Sequence, residues 1–446
     1  MKEQFRENRI VVAKFGGTSL SCAGQFEKVK AIAEADPSRR YFVPSAPGKR
    51  FSGDKKVTDL LIDLYRENAE GNPTESLLTD IFGRFESIRS ELGLKEPDLE
   101  GEFNEIRSRL EARPSRDYVV SRGEYLSGLL LASYLGVPFI DAAEVVFFDA
   151  EGRLEAELTD RVLSRRLSRV PKAVIPGFYG SKPDGSLQTF PRGGSDITGS
   201  LVARASKADL YENWTDVSGF LSADPKIVEN PRFIDVITYS ELRELSYMGA
   251  SVLHEDAVFP VKMANIPIRI RNTNRPEDPG TFIVPERNGT EGQAPRLIGI
   301  AGRSDLCVIH IEKDRMDAIV GYAANILRVL ASLGISFHHT PAGIDSMDII
   351  LSEEEISGKE DRLTEALKKE AQPDRLTLEH GLALFAAVGA KLPGDPSFDA
   401  KVYSSLSEAG VPVRIHCSGY LGTHLIVGVD GKDLPRAVRA VYGICP

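Results

Sequence analysis

Residues 9–19, Arg-Ile-Val-Val-Ala-Lys-Phe-Gly-Gly-Thr-Ser, constrain this chain more than any other stretch. Four small apolar residues, Ile10 to Ala13, have the pattern of a short buried strand. A lysine, two glycines and two hydroxyls follow. A strand that ends in a glycine turn leaves backbone N–H groups facing outward, where they suit an anion. A backbone without Cβ atoms also lets a ligand approach closely. Lys14 adds a compact positive charge beside that turn. The order differs from a Walker A loop, because the lysine precedes the glycines. Alone, the stretch reads first as an ordinary strand and tight turn and only second as a phosphate-binding turn.

The same texture recurs along the chain. Arg40 to Ser45 reads as a strand running into Ser45-Ala46-Pro47-Gly48-Lys49-Arg50. A helix starts near Val57, with Thr58 a suitable N-cap by residue type. The basic loop between Ser45 and Thr58 is either a substrate lid or a solvated insertion. Residues 71–116 read as polar helices with apolar faces. Ser121-Arg122-Gly123-Glu124 opens a leucine-rich helix, so Glu124 falls in a first turn, where a carboxylate complements the helix dipole. Val137–Ile140 and Ala173–Pro176 are further short strands. A second glycine-dense turn, Pro191-Arg192-Gly193-Gly194-Ser195-Asp196, leads into another helix. Ala208 to Trp214 is a strand ending at Thr215-Asp216-Val217-Ser218-Gly219, and Lys226 follows in a loop. Strands alternating with helices predict an α/β domain with a mainly parallel sheet. Ligands bind such sheets beyond the carboxyl ends of the strands.

A length of 446 residues allows two to three domains. Net charge is −10 and the sequence pI about 5.4, which argues against binding dominated by nucleic-acid phosphates. Cys22, Cys307, Cys417 and Cys445 are far apart in sequence, as suits reduced thiols. The first residues are too polar for a signal peptide, and no apolar run reaches membrane-helix length. The expectation is a soluble cytoplasmic protein without membrane or nucleic-acid partners. From residue 286 a polar, turn-rich stretch reads as a linker. Beyond it come Asp305–Ile311, a helix over 319–333, Ile335–Phe337, Met347–Leu351 and a helix over 362–371. A second set follows: Leu382–Val388, a helix over 397–409, Val413–Cys417, His424–Val429 and a helix over 434–441. Two rounds of β-α-β-β-α predict a tandem of small sandwiches.

Five clusters in one order resemble aspartate kinase: KFGGTS (14–19), SRGE (121–124), RGGSD (192–196), WTDV-x-G (214–219) and GA-x-VLH (249–254). The C-terminal part resembles the pair of ACT domains of that family. The resemblance implies a three-layer α/β/α amino-acid kinase core with an eight-stranded, mainly parallel sheet, plus two ferredoxin-like (βαββαβ) ACT domains. The expected division is 1–290, 298–375 and 376–446, the last two open to interleaving. The implied reaction is phosphorylation of the L-aspartate β-carboxylate by ATP, with Mg2+ held mainly through the ATP phosphates. It implies catalytic roles for Lys14 and Asp196, with helix capping as the alternative for Asp196. Substrate contacts fall to Ser45, Thr58, Glu124, Arg192 and Ser195, with Glu124 receiving the ammonium. ATP contacts fall to Lys14, Gly16, Gly17, Ser19, Thr215, Asp216 and Lys226. Met316, Gly321, Ser336 and Gly343 match effector positions, for lysine and/or threonine. A homodimer or dimer of dimers through the ACT domains is implied. Two departures concern the nucleotide: Ser251 stands where the family often has lysine, and Leu221 where many relatives have tyrosine. His254 reads as structural. Other readings are a kinase for another carboxylate, and an inactive amino-acid sensor.

Overall fold

The computed structural model describes residues 9–444 except 192, 251–252, 254, 288–296, 390–391, 393–395 and 419–423. The chain divides into two compact units. One comprises Met1–Phe220, Phe233–Tyr239 and Val252–Gly289; the other comprises Leu221–Arg232, Ser240–Ser251 and Thr290–Pro446.

The first unit is built on a seven-stranded sheet. Its strands are β1 (Val11–Phe15), β2 (Arg39–Pro44), β3 (Ala173–Val174), β4 (Leu210–Thr215), β5 (Val236–Thr238), β6 (Ile268–Asn272) and β7 (Thr281–Val284). Their order is β3-β2-β1-β4-β6-β7-β5. All neighbours are parallel except β6 and β7. Val137–Ile140 forms no full strand, but Phe139 makes an isolated parallel bridge to Val174 at the β3 edge. The central strand β1 is buried at every position, as the apolar run requires.

Helices α1 (Ala23–Ala35), α2 (Val57–Glu70), α3 (Arg116–Leu135) and α4 (Gly194–Ala205) carry or flank the motif loops. Two more, Glu75–Glu91 and Leu99–Glu111, join α1, α2 and α3 in one apolar core with Phe15, Phe42 and Trp214. Two expectations about helix starts are corrected. Helix α3 begins at Arg116, five residues before Ser121, and the Ser115 hydroxyl accepts from the Tyr118 N–H there. Glu124 therefore sits in mid-helix and gains nothing from a first-turn dipole. Lys56, not Thr58, is the N-cap residue of α2, and its side chain makes no capping bond.

The second unit holds a five-stranded antiparallel sheet of β8 (Gly299–Glu312), β9 (Ser346–Ser352), β10 (Arg375–Val388), β11 (Ile415–Ser418) and β12 (His424–Asp430). Their order is β9-β8-β10-β12-β11. Helices α5 (Tyr322–Ser332) and α6 (Glu360–Ala371) pack with Ile309, Ile311 and Ile349 in one core. Helices α7 (Pro396–Glu408) and α8 (Leu434–Gly443) pack with Phe385, Val427 and Ile300 in another. Both long strands serve both cores. The register of β8 shifts between Arg303 and Leu306, where Asp305 has a φ of 61°, and the half before the shift completes the second ferredoxin-like module while the half after it opens the first. The two small sandwiches thus share β8 and β10. Ile335–Phe337, expected as a strand, is not one; His339 and Ala342 make isolated bridges to Ile350 and Met347 instead.

Candidate active site

The parallel register places Phe15 beside Pro44 on one side and Trp214 on the other. The loops after β1, β2 and β4 therefore leave the sheet at one edge. Lys14 pairs with Val43 and Asn213 in register, so Lys14 and Asn213 point to the same face, toward α4. There the Lys14 Nζ lies 2.6 Å from Asp196 Oδ1. The Asn213 Nδ2 donates to the same oxygen at 2.7 Å. Asp196 thus turns away from its own helix start. The N-cap of α4 is Gly193 with a φ of 74°, and no side chain caps it. The capping alternative for Asp196 is set aside on this geometry.

The glycine turns interlock backbone on backbone. The Gly48 N–H donates to the Gly17 carbonyl at 2.7 Å. A Cβ on Gly48 would lie 2.6 Å from the Gly17 carbonyl carbon, and one on Gly17 would lie 2.8 Å from the Ala46 oxygen. Neither contact can relax, because each meets main chain. The Gly16 N–H donates to the Trp214 carbonyl, and the Ser45 N–H to that of Phe15. Ser19 is buried, and its hydroxyl pairs with Thr273 Oγ1 at 2.7 Å. Thr58 is half-buried one residue into α2.

Glu124 reaches this place from α3. Its carboxyl is buried, and the Ala46 backbone and Lys14 favour its charged form, while Oε2 has no hydrogen-bond partner among the described residues. Burial dominates and pushes its pKa up to about 8. Ser195 is buried in the first turn of α4, and a Cβ on Gly177 would lie 2.7 Å from its Oγ. Next to Gly177, Phe178 holds a φ of 82°, unusual for a bulky residue. Its N–H donates to Thr198 Oγ1 at 3.1 Å, tying this strained link to α4. Thr215 donates to Asp216 Oδ1 at 3.1 Å, at the exposed end of β4. Lys226 lies in the other unit on an exposed turn, its N–H donating to Asp224 Oδ1. Arg192, Ser251 and His254 lie outside the described residues.

The basic loop between Ser45 and Thr58 is held by a residue that sequence reasoning passed over. Arg84, buried in Glu75–Glu91, donates to the Gly48 carbonyl at 2.8 Å and to Asp54 Oδ2 at 3.0 Å. The only signal for it was a cation on the apolar stripe of Ile81, Phe85 and Ile88. Asp54 also accepts from Arg50, and that hydrogen bond holds its carboxyl well below the usual range.

The expected effector positions separate. Met316 opens a 3-10 turn, and the Asp317 N–H donates to the Ile344 carbonyl, so Met316 and Gly343 are neighbours; Gly321 N-caps α5. Ser336 lies by the far end of β9, lining a cavity of 880 Å³ with Arg303, His338, Ser352 and Lys359. Seven strand residues, about 20 Å, lie between the two ends.

Among the described residues no three His, Cys, Asp or Glu side chains converge as a metal cage, and no helix is long and apolar enough to cross a membrane.

Comparison with known proteins gives concordant findings. Residues 9–272 match the amino acid kinase family. The chain is 35% identical to aspartokinase 3 of Bacillus subtilis (strain 168) over 97% of both chains. It is similar to the crystal structure of Clostridium acetobutylicum aspartate kinase, with a TM-score of 0.93, 44% identity, and coverage of 98% of this chain and 100% of that one. Escherichia coli aspartokinase III, solved with aspartate and ADP as its R-state, aligns with a TM-score of 0.75 at 26% identity over 98% and 99% of the two chains. The same enzyme with lysine and aspartate, its T-state, aligns at 0.74 and 28% over the same shares.

Proposed function

The chain belongs to the amino acid kinase family and, within it, to the aspartokinases, and on that premise we propose how its residues carry out the reaction. The protein is an aspartate kinase: ATP phosphorylates the β-carboxylate of L-aspartate to give 4-phospho-L-aspartate, the first step toward lysine, threonine and methionine. The observation that carries the assignment of roles is the meeting of Lys14, Asp196 and Glu124 at one sheet edge.

A carboxylate nucleophile is already ionised at neutral pH, so the site has no need of a general base. Its problem is bringing an anion against a polyanion, and the solution is positioning and charge. Lys14 stabilises the transferring phosphoryl oxygens, oriented by Asp196 and Asn213. Gly16 and Gly17 offer close backbone approach, and Ser19 supports the turn through Thr273. Glu124 takes the substrate ammonium, with Ser45, Thr58, Arg192 and Ser195 completing the aspartate pocket. Thr215, Asp216 and Lys226 serve the nucleotide. Mg2+ would be held mainly by the ATP phosphates and water and would neutralise phosphate charge there.

We assign residues 1–290 to catalysis and 298–375 and 376–446 to the two ACT modules, interleaved through β8 and β10. They take an amino-acid effector, lysine being the ligand named for the E. coli relative. Met316, Gly321, Ser336 and Gly343 belong to two separate places within one chain, which suits an effector shared between ACT modules of a homodimer. A cytoplasmic location accords with the reduced-thiol spacing of the cysteines. The test is ATP turnover with L-aspartate, trapped as the hydroxamate. Turnover that persists without L-aspartate, or with another carboxylate in its place, overturns the substrate assignment, and lysine and threonine added singly and together identify the effector.

A further inference from the structure

We propose that Arg84, with Asp54 as its buried counterion, is a positioning residue that sets the L-aspartate side of the site by clamping the loop between Ser45 and Thr58. The proposal rests on the functional reading above only for the ligand; the clamp itself is read from geometry.

Three bonds from one guanidinium define it. The Arg84 Nη2 donates to the Gly48 carbonyl at 2.8 Å, and Nη1 donates to Asp54 Oδ2 at 3.0 Å and to the Lys55 carbonyl at 3.3 Å. One guanidinium therefore ties down both ends of the loop. Asp54 is in turn closed by Arg50, whose Nε and backbone N–H reach Oδ2 at 2.9 and 3.0 Å and whose Nη2 reaches Oδ1 at 3.1 Å. The side chains of Arg84 and Asp54 are 5% and 9% exposed, whereas that of Arg50 is 44% exposed. A buried guanidinium that bonds two carbonyls and a carboxylate fixes direction as well as charge, and lysine cannot reproduce the fork.

The clamped atoms are one step from the proposed substrate groups. Gly48 is the residue whose backbone seats on Gly17 of the first turn. Two residues before it, the Ala46 backbone lies close enough to the Glu124 carboxyl to favour its charged form, and the Pro47 carbonyl accepts from the Val57 N–H at the start of α2. Ser45 and Thr58 flank this set. Releasing Gly48 and Lys55 would let Ser45, Ala46 and Thr58 drift from Glu124, while Lys14 and Asp196 would keep their own contact. The loop also carries exposed Lys49, Arg50, Lys55 and Lys56, a cationic rim that would steer an anionic amino acid inward once the loop is fixed.

The experiment uses the full chain with Arg84→Lys and, as a milder second variant, Asp54→Asn. Two measurements are made on each. Tryptic nicking at Lys49, Arg50, Lys55 and Lys56 reports the loop without reference to activity, and steady-state kinetics report the site. The expected results are nicking at least fivefold faster than in the parent, a KM for L-aspartate raised tenfold or more in Arg84→Lys and about threefold in Asp54→Asn, and a KM for ATP within twofold of the parent. Saturating L-aspartate should slow the nicking of Asp54→Asn. Unchanged nicking in the folded variants overturns the clamp, whatever the activity. Faster nicking with equal rises in both KM values overturns the positioning role and leaves a general structural one. A parent protein that turns over ATP with another carboxylate, but not with L-aspartate, refutes the substrate assignment instead, and the nicking result still decides the clamp.

Discussion

The two faces of the central sheet each bury a cation against a carboxylate, and they use the same chemistry to opposite ends. On the α4 face, Lys14 meets Asp196 at 2.6 Å, and near them Asn213 Oδ1 and Glu124 Oε2 are buried with no partner among the described residues. On the other face, one residue along β4, Glu212 accepts from Arg39 Nε and Nη2 at 2.7 and 3.1 Å and from the Trp214 indole N–H at 3.0 Å. Arg39 Nη1 is spent on the Ile32 carbonyl, and its guanidinium lies 5.3 Å from the Trp214 ring. Strand alternation separates the two pairs cleanly. The closed pair is a fastener. The open one holds charge ready for a ligand that brings its own phosphates and ammonium. Ion-pair distance does not separate function from structure here; the open acceptors beside the motif turns do.

Removing Arg39 is the largest test of that contrast. Arg39→Met leaves Glu212 buried without its main partner, and urea unfolding should show a loss of about 3–5 kcal/mol, with KM values for both substrates unchanged in the folded fraction. Lys14→Ala should do the reverse, lowering kcat about 10²–10³-fold with little change in the unfolding midpoint. A fully active Lys14→Ala protein removes that residue from the chemistry.

Glu124 gives a pH test. Its carboxyl is raised in the folded chain to about 8 from an ordinary value of 4.5, so it contributes stability that is full below 4.5 and is lost as pH rises through 8. An ammonium ligand stabilises the ionised form, so L-aspartate binding should release a proton between those limits, and KM should fall as pH rises toward 8. Calorimetry in buffers of different ionisation enthalpy checks this. Glu124→Gln should raise KM about 30-fold, roughly 2 kcal/mol, and abolish the proton release. The smallest effect is expected at Asn213: Asn213→Ala leaves Lys14 and Asp196 in contact but less directed, and kcat should fall about fivefold, on the order of 1 kcal/mol for one hydrogen bond. A larger loss in Asn213→Ala than in Lys14→Ala would undo the hierarchy of the open face.

What the sequence revealed followed from how local its cause was. KFGGTS and RGGSD carry their backbone requirement in consecutive residues, and the structure brings Lys14 and Asp196 together. Glu124 was legible by type, but its helix start was misplaced because Ser115 and Asp117, an N-cap and first-turn acid, precede the glycine that drew attention. The full length of β8 was hidden by Gly302, Ser304 and Asp305, which break the apolar alternation where the register shifts. Arg84 was hidden for a different reason. Its partners, Gly48 and Asp54, lie 36 and 30 residues away, and a lone cation within an apolar stripe announces burial without naming what it meets.

The shared strands of the second unit limit how the chain can be divided. Leu306 to Glu312 of β8 pair with β9 as well as β10, but Gly299 to Arg303 pair with β10 alone. A shortened chain that stops before Arg375 would keep a seemingly whole first module and still expose the backbone of Gly299–Arg303 as a bare apolar edge, an invitation to stray strand pairing between molecules. Cuts made for expression, fusion or crystallisation therefore belong before β8 or beyond α8, and nowhere between.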